Sequence, residues 1–525
     1  MRPLRSVAIC LHVLLPLLAA SPGRVHAQGN DLAAPSGGRS TLMGNTGVAL
    51  GRDGSAPFYN PATIVRIRDQ RLAFSVNFYS LGVTHFDDWH QPGAVDQEQF
   101  GDRNLGGTGL LETGFRSLPS TLCLFFTIEQ LASVAFGKSG DDPGDDGSGS
   151  SRDQRDRNDK APTGKKLAIC FATLESDDVD MQALHFRGET SAGPTAQVQS
   201  LQRRWQRTYV GPTYSISITR RFAIGGSAQV AYSYDSFGVN SDSLSSRAAG
   251  GGIASALGTS GSGKSFELTG VIGATYRIDR LTLGASVRLP SLHILGDYSG
   301  TFSQSYTGDQ DVSLIADASG SLKSAPPTRF AIGAGFALDR WTLELDAALN
   351  VPLQNTLTAE LDVTTTRLEG ENLSRDVTRE KYVIPSHFTF NPSFGFEYFA
   401  TQALSLLGGV STNFTSLAPL TPVRSVGNLV QARMNHISAS AGIGSYWSKG
   451  ELLFGLQFDY GWGQAIAVNP YVVPNDWSVV DTQSYALLFV IAGSTNLSSI
   501  VRVVNTIVNG GEAKPEKSDE PKQRD

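Results

Sequence analysis

"WTLELDAALNV" (341–351) places Trp341, Leu343, Leu345, Ala347, Leu349 and Val351 at alternate positions, with Thr342, Glu344, Asp346, Ala348 and Asn350 between them. A chain whose side chains alternate in this way is a strand with one apolar and one polar face. "LLFGLQFDYGW" (452–462) repeats the pattern: Leu452, Phe454, Leu456, Phe458, Tyr460 and Trp462 face away from Gly455, Gln457 and Asp459. So does "FAIGGSAQVAYSY" (222–234), with Phe222, Ile224, Ala228, Val230, Tyr232 and Tyr234 opposite Ser227, Gln229 and Ser233.

The connections between such strands also alternate. Six junctions read as tight: Glu129–Leu131, Thr219–Arg221, Ile278–Arg280, Leu338–Arg340, Ala400–Gln402 and Ser448–Gly450. Long polar stretches lie between them, among them Asn240–Lys264, Ser303–Pro327 and Leu353–Lys381. Short turns at one end and long loops at the other are the pattern of a transmembrane antiparallel β-barrel. Six hairpins, one strand before them (Arg71–Leu81) and one after (Ser484–Gly493) make about fourteen strands. An even number leaves both termini on the short-turn side. A secreted sandwich or propeller would alternate too, but its loops need not alternate in length, and no propeller repeat of about 40–50 residues is present. Tyr232, Tyr234, Trp341, Tyr398, Tyr446, Trp447, Tyr460 and Trp462, at strand ends, are expected in interfacial aromatic girdles.

Outside the barrel pattern, Arg2 and Arg5 precede "VAICLHVLLPLLAA", and "VHA" (25–27) offers a cleavage site before Gln28. Residues 1–27 therefore read as a secretory signal peptide, with Cys10 inside its apolar part. No later run approaches the ~18 apolar residues of a membrane helix. A Gly-rich segment (28–70) precedes the barrel (71–495). A charged low-complexity insert (138–166) either extends the first tight turn or forms an outer loop. An extension (496–525) follows, expected to be disordered at its end. Because the chain ends on Asp525, the aromatic residue that commonly closes the last strand of such barrels is absent from its end. Among 525 residues the formal net charge is -6 and no basic stripe stands out, which excludes a binder of nucleic-acid phosphates.

The stretch "GGRSTLMGNTGVALGRDGSAPFYNPATIVRI" (37–67) resembles the N-terminal region of the FadL-type outer-membrane transporters of long-chain fatty acids and aromatic hydrocarbons. The matching positions are Gly44, Gly47, Ala49, Asp53, Ser55, Ala56, Phe58, Tyr59, Asn60, Pro61 and Ala62; Thr63 stands where the family usually has glycine. "SLPSTLCLFF" and "KLAICFATLESDD" look like the family's second and third strands. The resemblance implies that residues 28–70 form a hatch plugging the barrel lumen. It implies passive uptake of hydrophobic compounds through an apolar pocket beside the hatch, and release through a lateral opening made by a kink in the third strand. Phe58, Tyr59, Asn60, Pro61 and Ala62 are the candidate gating motif; Gly44, Gly47 and Gly51 are the candidate hatch glycines. Asn60-Pro61-Ala62 reads equally as a turn into the first strand. The implied surroundings are a Gram-negative outer membrane with its lipid and lipopolysaccharide, a hydrophobic ligand and the barrel assembly machinery. The chain is expected to be a monomer, without enzyme activity, cofactor or nucleic-acid partner.

Other signals weigh less. "GTSGSGKS" (258–265) fits G-x-x-x-x-G-K-[ST] through Gly258, Gly263, Lys264 and Ser265. A phosphate loop needs a buried strand before it and a helix after it. The flanks are "SSRAAGGGIASAL" and the alternating "FELTGVIGATYRI", so the match reads as chance within an outer loop ending at Lys264. "HFDDWH" (85–90) is a conceivable metal cluster, or simply a polar strand end. Cys123 and Cys170 either bridge, if in register, or remain buried or lipid-facing thiols. Arg277, Arg288, Glu267, Glu344, Asp346, Glu397, Gln457 and Asp459 are read as lumen-facing and paired, the alternative being that one arginine receives a ligand carboxylate. A general porin and a surface adhesin with display loops are the rival functions.

Overall fold

The computed structural model describes residue 30 and residues 36–67, 71–86, 108–128, 164–190, 193–246, 251–307, 311–420, 432–447, 450–469 and 476–496. The signal peptide, most of the insert, the C-terminal extension and residues 87–90 of the histidine cluster lie outside these.

Among the described residues, eighteen β-segments form one antiparallel sheet that closes on itself. The first six are β1 (Arg71–Phe86), β2 (Thr108–Thr127), β3 (Lys165–Thr190), β4 (Gly193–Ser217), β5 (Phe222–Ser246) and β6 (Gly252–Ile278). The next eight are shorter and pair end to end: β7 (Leu281–Arg288) continues into β8 (Leu292–Thr307), and β9 (Val312–Ser324) into β10 (Thr328–Ala337). Likewise β11 (Trp341–Val351) continues into β12 (Leu357–Glu369), and β13 (Asn372–Ile384) into β14 (Thr389–Phe399). The last four are β15 (Leu404–Asn413), β16 (Arg433–Trp447), β17 (Gly450–Asn469) and β18 (Asp476–Asn496). Counting each joined pair once gives the fourteen barrel strands expected. The wall closes where β1 pairs β18, Arg71 opposite Asn496.

Alternation sets the two faces. Ile332, Leu345, Val410 and Phe454 are exposed on the outside, while Glu344, Asp346 and Glu397 are buried on the inside. Aromatic rings on the outer face fall at two heights. Trp341 packs at a tilt against Tyr398 beside the tight turns (centroids 4.6 Å apart), and Tyr460 packs against Trp462 (5.6 Å) and Tyr485 (5.1 Å). Tyr460 stands ten residues above the first residue of β17. Ten residues at ~3.3 Å each, tilted by ~40°, rise roughly 25 Å, the height of an outer-membrane apolar band. Tyr446 departs from the girdle expectation, because it turns inward to donate to Glu397.

The four joints between paired segments fall opposite one another across neighbouring strands. They contain Pro290, Pro326 with Pro327, Pro352 and Pro385. Proline has no N–H for the ladder, so four neighbouring strands break at adjoining register positions. Gln354 stitches this belt by donating to Pro326 O (2.9 Å) and Ser291 Oγ (3.2 Å).

Above the belt the structure corrects the expected long loops. Asn240–Lys264, Ser303–Pro327 and Leu353–Lys381 are mostly strand, joined by short connections such as residues 370–371 between β12 and β13. Beyond the apolar band the outer face has no lipid to meet. The polarity of the faces then reverses while the backbone ladder continues: in β12, Leu357, Ala359, Leu361 and Val363 are buried inside, between Thr358, Glu360 and Asp362. At the other end, the connection of residues 128–164 joins β2 to β3 on the tight-turn side, which settles the side of the insert.

Candidate functional site

Residues 36–67 lie against the inner face of the wall. The segment comprises α1 (Gly38–Leu42), α2 (Ala56–Tyr59) and a 3-10 helix over Pro61–Arg66. Its backbone polar groups are shut away from water and must find partners. On one side, Glu344 Oε1 accepts Ala49 N and Leu50 N, each at 2.8 Å. Two residues on, Asp346 Oδ2 accepts Gly47 N (2.8 Å) and Val48 N (3.0 Å). Two carboxylates on one face of β11 thus hold four consecutive amides. The segment's carbonyls are met by Ser286, which donates to Tyr59 O (2.6 Å), Gln229 to Pro57 O (3.3 Å) and Ser215 to Ala62 O (3.3 Å).

A second anchor is ionic. Arg39 Nε and Arg52 Nη2 both donate to Glu397 Oε2, at 2.9 and 3.0 Å. Ser405 and Tyr446 donate to the other oxygen. Burial alone would lower the Arg52 pKa, but Glu397, helped by Tyr446 and Glu451, holds it above the ordinary arginine value. Arg66 donates instead to neutral groups, Ala49 O (3.0 Å) and Thr282 Oγ1 (3.4 Å). Burial, with repulsion from Arg277 and only partial relief from Glu344, brings its pKa down to about 10.

The residues of the gating motif and the three glycines each have a definite place. Asn60 Nδ2 donates to Val48 O (2.7 Å) and to Ala274 O of β6 (3.1 Å), and its Oδ1 accepts Ala62 N (3.1 Å). That last bond caps the 3-10 helix, with Pro61 at its first position. The wall opposite is Gly273, where a Cβ would lie 2.0 Å from Asn60 Oδ1. Phe58 meets Tyr209 edge-on (6.3 Å) within a cluster holding Cys123, Cys170 and Leu174. Tyr59 lies under the Arg329 guanidinium (5.6 Å), and burial raises its phenol pKa. Gly44 has φ +66°, where a Cβ would press on the backbone of β14 and β15. At Gly51 a Cβ would meet Gly47 O at 2.5 Å, and at Gly47 it would meet Ser40 Oγ at 3.1 Å. Asp53 ties the two helices together by accepting from Ser40 N (2.8 Å) and Ser55 N (3.0 Å).

The motif "GTSGSGKS" is strand, not the expected loop: all eight residues lie in β6, paired with β5 and β8. Lys264 points to the exposed face and Ser265 to the buried one, where Ser265 donates to Glu267 (2.7 Å).

The wall has a seam beside this segment. β2 and β3 pair over only seven positions, Thr127–Thr121 against Lys166–Ala172. Farther up, among the described residues, β2 pairs with β1 alone and β3 with β4 alone. Cys123 and Cys170 are register partners within the paired stretch and are joined as a disulfide, their Cα atoms 4.2 Å apart. One step beyond it, the β3–β4 register shifts between Thr173 and Glu175, a bulge at Leu174. An extra residue moves the following side chains to the opposite face. Glu175, an outward position by simple alternation from Cys170 and Ala172, is therefore buried inside with Leu174. Alternation alone could not have found it.

Glu175 meets Arg207, its partner across β3 and β4. Arg207 Nη1 reaches both carboxylate oxygens (2.7 and 2.8 Å), Nε donates to Ser233 Oγ (2.9 Å) and Nη2 to Ser324 Oγ (2.9 Å). Above the segment, an apolar cluster of Leu257, Phe302, Leu322, Leu361, Tyr298 and Tyr382, among others, packs on the inner face of the tall strands.

No protein-family model and no curated protein sequence matches the chain. Among solved structures the barrel is similar to the CymD monoaromatic hydrocarbon channel, with TM-score 0.50 and 12% identity over 89% of this chain and 98% of that one. It is equally similar to the Pseudomonas putida toluene transporter TodX, with TM-score 0.50 and 15% identity over 90% and 100%. The shared property is the fold: a closed transmembrane β-barrel of fourteen strands.

Proposed function

We propose that the chain is a channel for passive uptake of hydrophobic small molecules across a Gram-negative outer membrane. In this reading a ligand is taken up by the apolar cluster above the membrane and passes residues 36–67, which act as a hatch. It leaves sideways through the seam between β2 and β3. The observation that carries the reading is the end of β2–β3 pairing at Thr121 and Ala172. Ala172 stands seven residues above Lys165, roughly 18 Å up a ~25 Å band, so the seam faces the outer part of the lipid. A hydrophobic ligand leaving there keeps out of water, at a gain of about 0.8 kcal/mol for each CH2. Long-chain fatty acids and aromatic hydrocarbons are the ligand classes to test, and the names of CymD and TodX fit the second. Phe58, Tyr59, Asn60, Pro61 and Ala62, with Gly44, Gly47 and Gly51, are the hatch residues of this proposal. The protein acts as a monomer without enzyme activity, set among lipid and lipopolysaccharide after insertion by the barrel assembly machinery. Liposome uptake of a labelled fatty acid and of a labelled aromatic hydrocarbon tests it. Uptake of neither above protein-free liposomes would overturn it.

A further inference from the structure

We infer that Arg207 is a positioning residue for the seam: together with Glu175 it latches the unpaired edge of β3 to the opposite inner wall and so sets the width of the opening. The inference rests on the uptake reading for its purpose, though not for its geometry. Beyond Ala172, among the described residues, β3 has lost β2 and pairs with β4 alone. At that point the bulge turns Glu175 inward, directly opposite Arg207. Both side chains are fully buried, so the pair forms without competition from water. The remaining donors of the guanidinium go to two other strands: Ser233 on β5, and Ser324, the last residue of β9 beside the proline belt. Ser324 N in turn donates to Ser265 Oγ on β6 (3.1 Å), and Ser265 to Glu267. A hydrogen-bonded chord therefore runs from the loose edge of β3 across the inside to β9 and β6. Arginine suits this role because its planar fork serves several partners at once, which a lysine ammonium cannot do in the same geometry. Below the seam the wall is closed by the Cys123–Cys170 bond, so the chord governs only what lies above it.

The test compares wild type, Arg207→Met, Arg207→Lys and the double variant Glu175→Gln/Arg207→Gln, which removes both charges together. Backbone hydrogen exchange and uptake are measured in parallel on barrels that migrate as folded. Arg207→Met and the double variant are expected to exchange at least tenfold faster over residues 175–190, and within twofold of wild type over 166–172. Their discrimination between a labelled hydrophobe and a polar dye should fall at least fivefold, with Arg207→Lys in between. If Arg207→Met does not assemble, the double variant carries the same two readouts. Unchanged exchange over 175–190 in an assembled variant lacking Arg207 would overturn the latch. A wild type that carries no hydrophobe, while exchange responds as stated, would instead overturn the uptake reading and leave the latch standing.

Discussion

Asn60 makes three bonds that end on three different parts of the chain: the preceding turn at Val48, the wall at Ala274 and the following 3-10 helix at Ala62. Removing its amide takes the buried partner from Val48 O and Ala62 N, at about 1–3 kcal/mol apiece, and cuts the tie to the wall at Ala274. Asn60→Ala is therefore expected to lower the unfolding midpoint and to raise hydrogen exchange across residues 44–62; an unchanged exchange pattern would contradict the assignment. The carboxylates of β11 give a graded series. Asp346→Asn keeps an acceptor for Gly47 N and Val48 N, whereas Asp346→Leu removes it, so exchange at those two amides should rise far more in the leucine variant. Asn60-Pro61 was legible from the sequence because Asn before Pro marks a local backbone requirement. The inward placement of Glu344, Asp346 and Glu397 followed from alternation, but their partners did not. Lumen salt bridges were expected; Glu397 makes them, while Glu344 and Asp346 accept backbone amides. Glu175 was hidden because a single bulge reversed the phase of its strand.

Among the elements, β2 and β3 pair over a small part of their length, seven positions of strands of 20 and 26 residues, and their disulfide closes a loop with a sequence separation of 47. Loop closure of that length stabilises by about 4 kcal/mol on the chain-entropy account. Cys123→Ala/Cys170→Ala should therefore lower the temperature at which the barrel loses its folded electrophoretic mobility and speed exchange over 121–127. A reductant should have the same effect on wild type and none on the variant. The cysteines' similar contexts suggested neighbouring strands, and only the register decided that they bridge. The tall hairpins were missed for a general reason. A barrel wall in lipid turns its apolar face outward, whereas here Leu357, Ala359, Leu361 and Val363 face inward between Thr358, Glu360 and Asp362, in stretches whose many Gly, Ser, Thr and charged residues read as loop. The proline joints were visible as Pro290, Pro326, Pro352 and Pro385, but their alignment depends on pairing that sequence spacing does not reveal.

At the scale of the whole molecule, fourteen strands with their tight turns at one end were readable because lipid outside and polar groups inside impose opposite demands on alternate residues. The inner segment was readable as something other than wall, through its glycines and Asn60-Pro61-Ala62. Its anchorage to many strands was not, since every contact is long-range. Deleting residues 28–69 should leave a barrel that admits polar solutes and loses selectivity, as measured by dye efflux from liposomes; a deletion variant as tight as wild type would argue against the hatch. The seam itself gives the most direct test of the proposed route. In a Cys123→Ser/Cys170→Ser background, Ser120→Cys/Thr173→Cys places a bridge where the next β2–β3 pair would form. The account predicts that the oxidised protein loses uptake of a labelled hydrophobe and regains it on reduction. Uptake by the locked barrel equal to that of the unlocked one would contradict it.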